Sequence, residues 1–207
     1  MNPWLIFGAG GKGIGAMTAN LALSQQRPVI TLVRNQQAAD RLTALGATVF
    51  IGDACDASIV AAACEAAGTN ATIISTMGGS QDYLAHRTVI DCAQQANISR
   101  MILVTSLGCG DSWQYLSPRA RAAFGQAVRE KSLAESWLQT SLLDFAILRP
   151  GGLLNGKATG QAIREQDKEA HGFVMREDVA AHINQLDLEP SLKQQIYSLI
   201  QPGLTPA

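Results

Sequence analysis

The sequence predicts an α/β protein built on a doubly wound parallel sheet with helices on both faces. Short apolar runs alternate with longer helix-compatible stretches from residue 4 to about residue 149, which is the pattern of βαβ units. Several runs are continuously apolar, as expected for strands covered on both faces. The length of 207 residues suits one domain better than two. We therefore treat residues 1–207 as a single domain.

Six strands are predicted, at 4–7, 29–33, 48–51, 71–75, 101–105 and 145–148. Helices are predicted between them over 13–25, 36–45, 57–67, 82–96 and 119–140. Right-handed crossovers then give the strand order 3-2-1-4-5-6. After Pro150, the segment GGLLNGKATG predicts a loop over the cleft. A strand at 172–174, a helix at 176–185 and a strand at 195–199 complete a small C-terminal extension, about 150–207, on the substrate side.

The glycine-rich run GAGGKGIG joins the first strand to the first helix, which is the context that a dinucleotide-binding fingerprint requires. Gly8 permits the tight turn, Gly10 or Gly11 lets the backbone approach a pyrophosphate, and Gly13 or Gly15 lets the helix pack on the strand. A purely structural glycine turn is the alternative. The helix N-terminus as an anion site favours dinucleotide binding and a fold of Rossmann type.

Arg34 follows the second strand, where an acidic residue favours NAD and an arginine favours the 2′-phosphate of NADP. A guanidinium binds phosphate through paired hydrogen bonds, and LVRNQQ contains no carboxylate. We therefore predict NADP(H) as the cofactor, with Asn35 adding a polar contact. A solvated arginine at a helix start is the alternative.

Two further strand ends carry candidate cofactor contacts. Asp53 ends the third strand and is a candidate acceptor for the adenine amino group. Asp56 is better interpreted as the N-cap of the next helix. The fourth strand ends in Met77, Gly78 and Gly79, which can line the cofactor without side-chain bulk.

Four segments in order give the whole chain a resemblance to the atypical short-chain dehydrogenases of the NmrA-like and flavin/biliverdin reductase B type. They are IFGAGGKGIG, ITLVRN with GDACD, MILVTSLG and KSLAESWLQTSLLDFAILRPGGLL, and FVMREDVAAHI resembles the family's late Arg-x-Asp-Val-Ala segment. The resemblance implies NADP(H) in an extended groove. The candidate cofactor residues are Gly8, Gly10, Gly11, Lys12, Gly13, Ile14, Arg34, Asp53, Ala54, Met77, Gly78, Gly79, Thr105, Ser106, Lys131, Pro150, Gly151, Gly152 and Leu153.

The catalytic candidates are Ser106 and Lys131. Ordinary short-chain dehydrogenases use Tyr-x-x-x-Lys, but position 127 is alanine, so no tyrosine acid can be assigned. The resemblance implies that Lys131 contacts the nicotinamide ribose; a surface salt bridge to Glu135 is the alternative. Ser106 ends the fifth strand and can orient a substrate or carboxamide, or merely cap the following turn.

The segment CGDSWQYLSPR follows the fifth strand and should face the substrate. Trp113 and Tyr115 are candidates for stacking on a flat acceptor, or for anchoring the loop. Cys109 is a third candidate for substrate contact, but no neighbouring basic side chain would make it a thiolate nucleophile. His86, His171 and His182 each stand alone and are not interpreted as catalytic.

Composition limits the partners. The 16 Lys and Arg against 17 Asp and Glu give no excess positive charge for nucleic acid. The N-terminal apolar run is too short for a membrane span or signal peptide, which predicts a cytoplasmic protein without a membrane partner. The four cysteines form no C-x-x-C pair and lack histidines at metal-ligand spacing, so neither a disulfide nor a metal site is predicted. Nothing in the sequence distinguishes a monomer from a homodimer.

The leading hypothesis is an NADPH-dependent oxidoreductase that reduces a small conjugated or aromatic substrate by hydride transfer. A flavin, a bilin, a quinone or another carbonyl compound fits this class. The alternatives are a non-catalytic NADP(H)-sensing regulator of NmrA type and an NADP-dependent epimerase or isomerase.

Overall fold

The computed structural model describes residues 1–206. Its strands are β1 (Trp4–Phe7), β2 (Val29–Val33), β3 (Thr48–Ile51), β4 (Thr72–Ser75), β5 (Arg100–Val104), β6 (Asp144–Pro150), β7 (Gly152–Leu154), β8 (Ile163–Glu165), β9 (Phe173–Met175) and β10 (Gln195–Ile200). Its helices are α1 (Ile14–Ser24), α2 (Gln36–Ala44), α3 (Ala57–Ala67), α4 (Asp82–Gln95), α5 (Pro118–Gln139) and α6 (Arg176–Asp187), with a 3₁₀ helix at Gly110–Tyr115.

The main sheet has the strand order β3-β2-β1-β4-β5-β6-β10-β8. Its first six strands are parallel and follow the predicted order 3-2-1-4-5-6. β10 extends the sheet in parallel on β6, and β8 closes the edge as an antiparallel strand on β10. The predicted Rossmann-type fold class is confirmed.

Two apolar clusters lie on opposite faces of this sheet, because successive side chains of a strand point to opposite sides. In β1, Trp4 and Ile6 belong to one cluster, and Leu5 and Phe7 belong to the other. Helices α1, α2 and α6 cover the first face, whereas α3, α4 and α5 cover the second. Because helices cover both faces, a ligand can reach the sheet at the ends of its strands, where backbone amide and carbonyl groups are accessible.

The C-terminal extension departs from the prediction. The segment predicted as a loop after Pro150 contains β7, and β7 pairs in parallel with β9 in a separate two-stranded sheet. The strand predicted at 172–174 therefore forms, but it does not join the main sheet. The chains approach closely here, since the amide of Gly152 donates to the carbonyl of Gly172 at 2.9 Å. Any Cβ at Gly151 would collide with that same carbonyl.

No helix within residues 1–206 is long and apolar enough to cross a membrane. The same residues contain no cluster of three or more histidine, cysteine, aspartate or glutamate side chains suited to a metal ion.

Candidate cofactor and substrate site

A groove of about 400 Å³ opens at the carboxyl ends of β1, β2 and β4, where ligands of doubly wound sheets bind. It brings together a large part of the predicted cofactor set: Gly8, Gly10, Gly11, Arg34, Asp53, Ala54, Met77, Gly78 and Gly79. Three predicted residues of the glycine turn do not line it. Lys12 is exposed, while Gly13 and Ile14 form the start of α1.

The glycine turn shows which glycines the backbone requires. Gly8 has φ +99°, and a Cβ there would lie 2.5 Å from Oγ1 of Thr76. A Cβ on Gly15 would lie 2.5 Å from the carbonyl oxygen of Gly8, whereas one on Gly13 would meet nothing within 4 Å. Gly15 is therefore the residue that lets α1 pack against β1. α1 has no side-chain cap, so its first amides are free to bind a pyrophosphate.

Arg34 lies exposed at the end of β2 and lines the groove. Asn35, predicted as a polar contact, also lines the groove, and its side chain caps α2 by accepting a hydrogen bond from the amide of Ala38 at 2.9 Å. Arg34 thus lies between the end of β2 and the capped start of α2. In related folds, an arginine near this position binds the 2′-phosphate of NADP.

Arg41 supports the glycine turn, and sequence reasoning missed it. Its Nη2 donates to the carbonyls of residues 9, 10 and 11 at 3.0, 3.2 and 3.1 Å. By binding three successive carbonyls, the guanidinium holds the turn in one conformation. No local motif marks this arginine, because its partners lie about 30 residues earlier.

The two aspartates after β3 have different partners. The carboxylate of Asp53 lines the groove and accepts from the amide of Cys55 at 2.8 Å. Asp56 accepts from the amide of Ser58 at 2.9 Å and is the N-cap of α3, as predicted.

Lys131 projects from α5 toward the first residue of α4. Its Nζ donates to the carbonyl of Met77 and to Oδ2 of Asp82, both at 2.7 Å. The alternative of a surface salt bridge to Glu135 is wrong, because Glu135 is 1% exposed and its carboxylate pairs with Arg149 of β6. Lys131 therefore contacts the backbone of a groove-lining residue without itself lining the groove.

Asp82 connects Lys131 to a buried histidine. Oδ1 of Asp82 lies 2.9 Å from Nδ1 of His86, and Nε2 of His86 lies 2.7 Å from Oγ of Ser75. Burial raises the pKa of Asp82, but the hydrogen bond and charge of His86 and the ammonium of Lys131 outweigh it, so the pKa lies below its usual value. The interpretation of His86 as an isolated residue is wrong.

A second buried network lies behind the next strand ends. Arg149 donates through Nε and Nη2 to both oxygens of Glu135 at 3.0 and 2.7 Å, and through Nη1 to Asp111 at 2.6 Å. Thr105 donates to Glu135 at 2.6 Å. Because Asp111 lies in the 3₁₀ helix, this network attaches the segment after β5 to the core.

A second pocket, of about 510 Å³, opens at the carboxyl ends of β5 and β6, beside the groove. Its lining includes the predicted residues Thr105, Ser106, Pro150, Gly151, Gly152 and Leu153, together with Tyr115. Further lining residues missed by sequence reasoning are Leu107, Gly108, Ser112, Leu116, Phe124, Lys168, Ala170, His171, Gly172, Phe173, Arg176 and Ser198. The pocket thus combines apolar and aromatic walls with three basic side chains.

Two of the three predicted substrate residues do not line this pocket. Cys109 is fully buried, its Sγ lies 3.7 Å from the carbonyl of Val128, and burial raises its pKa to about 11. Trp113 packs on Gly125 and against the guanidinium of Arg121, which agrees with the alternative of a loop anchor.

Ser106 lines the pocket and donates to the carbonyl of the next residue at 3.1 Å. Its hydroxyl is half-buried and lies beside Thr105, at the junction between β5 and the pocket. Its predicted role in orienting a substrate or carboxamide stays a prediction.

Comparison with known proteins identifies the family of the chain. The family model described as NAD(P)H-binding matches residues 8–189. A Bacillus subtilis protein named as the uncharacterized sugar epimerase YhfK is 31% identical over 175 residues, which cover 77% of each protein. A short-chain dehydrogenase/reductase from Veillonella parvula in complex with NADP shares the fold, with a TM-score of 0.78 at 18% identity, covering 98% of this chain and 95% of that one.

Two solved structures are much more similar. ChuY, an anaerobillin reductase from Escherichia coli O157:H7, is 70% identical over the full length of both chains, with a TM-score of 0.98. The ChuY protein of E. coli strain CFT073 is 66% identical over the full length of both, with a TM-score of 0.93. With its family model spanning the glycine turn, the groove and most of the second pocket, this chain belongs to the NAD(P)H-binding family.

Proposed function

We propose that this protein is an NADPH-dependent reductase whose acceptor is a bilin-type, open-chain tetrapyrrole. The observation that carries the proposal is the large, partly aromatic pocket at the ends of β5 and β6, directly beside a dinucleotide groove at the ends of β1, β2 and β4. The full-length identity of 70% to an anaerobillin reductase supports the same acceptor class. The predicted enzyme class, an NAD(P)H-dependent oxidoreductase, is confirmed by these relatives.

The walls of the second pocket fit a flat conjugated molecule. Tyr115 and Phe124 are 39% and 55% exposed at its rim, and Phe173 lines it as well. Aromatic rings that face open space offer stacking surfaces for an extended π system. Stacking against these rings would cover one face of the acceptor, while the open side of the pocket leaves its polar ends accessible to solvent.

The residues of the groove fit a dinucleotide. The free amides at the start of α1 and the closely approaching backbone at Gly8 suit a pyrophosphate. When bound, NADPH supplies the hydride. The chain itself orients the two molecules: Arg41 stiffens the turn, Lys131 fixes the backbone at Met77, and Ser106 faces the second pocket. Because position 127 is alanine, we assign the proton to solvent that enters the open pocket.

Reduction is tested by adding anaerobillin or another bilin, a flavin or a quinone to purified protein with NADPH. We expect stoichiometric loss of NADPH absorbance and of the tetrapyrrole's conjugated absorbance with the bilin. Tight NADPH binding without turnover of any acceptor would overturn the proposal and favour a sensing role. Conversion of a sugar nucleotide without net loss of NADPH would favour an epimerase, the activity in the name of the B. subtilis relative.

The choice of NADP(H) over NAD(H) depends on Arg34. Its guanidinium is exposed at the groove and has no carboxylate partner within residues 1–206. A charge-assisted contact contributes about 1.5–3 kcal/mol, so Arg34→Ala should weaken NADPH binding by about 10- to 100-fold. NADH binding should change less than about threefold. Equal losses in a fluorescence titration would show that Arg34 does not bind the 2′-phosphate.

An NADPH-consuming reductase also agrees with the predicted cytoplasmic location.

A further inference from the structure

Arg176 is the one basic residue of the second pocket that is held in place by neutral groups. It is the first residue of α6 and lines the pocket wall. Its Nη1 donates to the carbonyl of Leu153 at 3.2 Å and to Oδ1 of Asn155 at 2.8 Å. Within residues 1–206, no carboxylate lies at salt-bridge distance from this guanidinium. Its positive charge is therefore fixed in position but not neutralised.

The other two basic residues of the pocket differ from Arg176, because each has an acidic partner. Nζ of Lys168 lies 3.8 Å from Oε1 of Glu165, and Nε2 of His171 lies 2.6 Å from Oε1 of Glu169. Lys168 and His171 are also mostly exposed, at 69% and 64% of their side chains. They contribute little net attraction for an anion.

The two carboxylates next to Arg176 in sequence are directed elsewhere. Glu177 accepts from the amide of Ala158 at 2.8 Å. Asp178 is buried and accepts from the amides of Thr159 and Gly160 at 3.0 and 2.9 Å. Both carboxylates therefore bind the backbone of the loop after β7. In the Arg-x-Asp segment, the aspartate stabilises this loop and the arginine lines the pocket.

Because Nη1 makes both hydrogen bonds, the Nε–Nη2 edge of Arg176 makes none with residues 1–206. That edge is the one that binds a carboxylate through two parallel hydrogen bonds. Bilins keep the propionate side chains of haem. We propose that Arg176 anchors a carboxylate of the acceptor and thereby selects acidic tetrapyrroles, an inference that rests on the proposed function.

The test compares a bilin as its free acid with the same bilin as its dimethyl ester. The wild-type protein should reduce the acid with a KM at least about tenfold lower than the ester's. Arg176→Gln should raise the KM for the acid by about 10- to 100-fold and change that for the ester less than about threefold. Lys168→Gln removes a positive charge from the same pocket and should retain the preference for the acid.

The outcomes separate the anchor from the reductase. Failure of the wild-type protein to reduce either form overturns the proposed function. Equal KM values for acid and ester in the wild type overturn the anchor alone, without depending on any variant. An unchanged acid preference in Arg176→Gln also overturns the anchor, whatever the behaviour of Lys168→Gln. NADPH titration of Arg176→Gln should match the wild type, since the cofactor groove is lined by other residues.

Discussion

Replacing Glu135 with alanine should destabilise the fold more than any exposed charge substitution, because Glu135 neutralises a buried arginine. Arg149 is 5% exposed and Glu135 is 1% exposed, and two guanidinium nitrogens donate to this one carboxylate. The variant leaves both donors and the hydroxyl of Thr105 without their acceptor. Only the bond to Asp111, whose side chain is 82% exposed, remains.

Removing one partner of a buried ion pair costs about 3–5 kcal/mol. A chain of this size loses about 2–4 °C of melting temperature per kcal/mol. We therefore expect Tm to fall by roughly 6–20 °C. Replacing both partners, as in Glu135→Leu with Arg149→Met, removes the uncompensated charge as well and should recover most of that loss.

Urea denaturation of Glu135→Leu, Arg149→Met and the double variant that combines them gives the coupling energy directly. The matched control is Glu165→Gln, whose partner Lys168 is 69% exposed and which should cost less than about 1 kcal/mol. The reasoning is wrong if Glu135→Ala costs no more than this control. It is also wrong if the losses of the two single variants simply add in the double variant.

Three further predictions concern the cofactor side. Gly15→Ala should destabilise by about 1–3 kcal/mol in urea because its Cβ meets backbone, while Gly13→Ala should be near neutral; similar losses would contradict the assignment. Arg41→Ala should weaken NADPH and NADH about equally in titrations, because it braces the turn; a loss confined to NADPH would show a phosphate contact instead. The lowered pKa of Asp82 stabilises the fold above the ordinary carboxyl pKa, and this contribution disappears as pH falls through the lowered value. The unfolding free energy of Asp82→Asn should therefore fall less steeply than the wild type's below about pH 4, and equal slopes would contradict this.

The central strands could be predicted because their signal is local. β1 is a continuous apolar run and β2 is apolar except for Thr31; they end in glycine or charge, and every residue in them is buried, as that pattern predicts. β8 has the sequence IRE in a polar stretch and forms only because β10 offers it an open edge. A strand that forms only by pairing with a neighbouring edge need not show an alternation of apolar and polar residues, so its sequence does not predict it.

The same distinction applies to the site. The glycine turn and Arg34 are adjacent to predicted strand ends, so their placement followed from the fold class. The partners of Lys131 could not be derived, since Asp82 lies 49 residues earlier in the chain. The spacing of four residues on one helix predicted Glu135 as the partner of Lys131. The carboxylate of Glu135 instead pairs with the buried guanidinium of Arg149.

The position of Lys131 bears on the missing tyrosine. In the Tyr-x-x-x-Lys arrangement, the lysine holds the ribose and lowers the pKa of the tyrosine. Here Asp82 neutralises the ammonium and Met77 accepts its second hydrogen bond, so little charge remains to act on a phenol. Alanine at position 127 and a neutralised Lys131 are thus consistent with each other. Together they favour a reductase in which the protein positions cofactor and acceptor, and in which protonation does not require a dedicated acid.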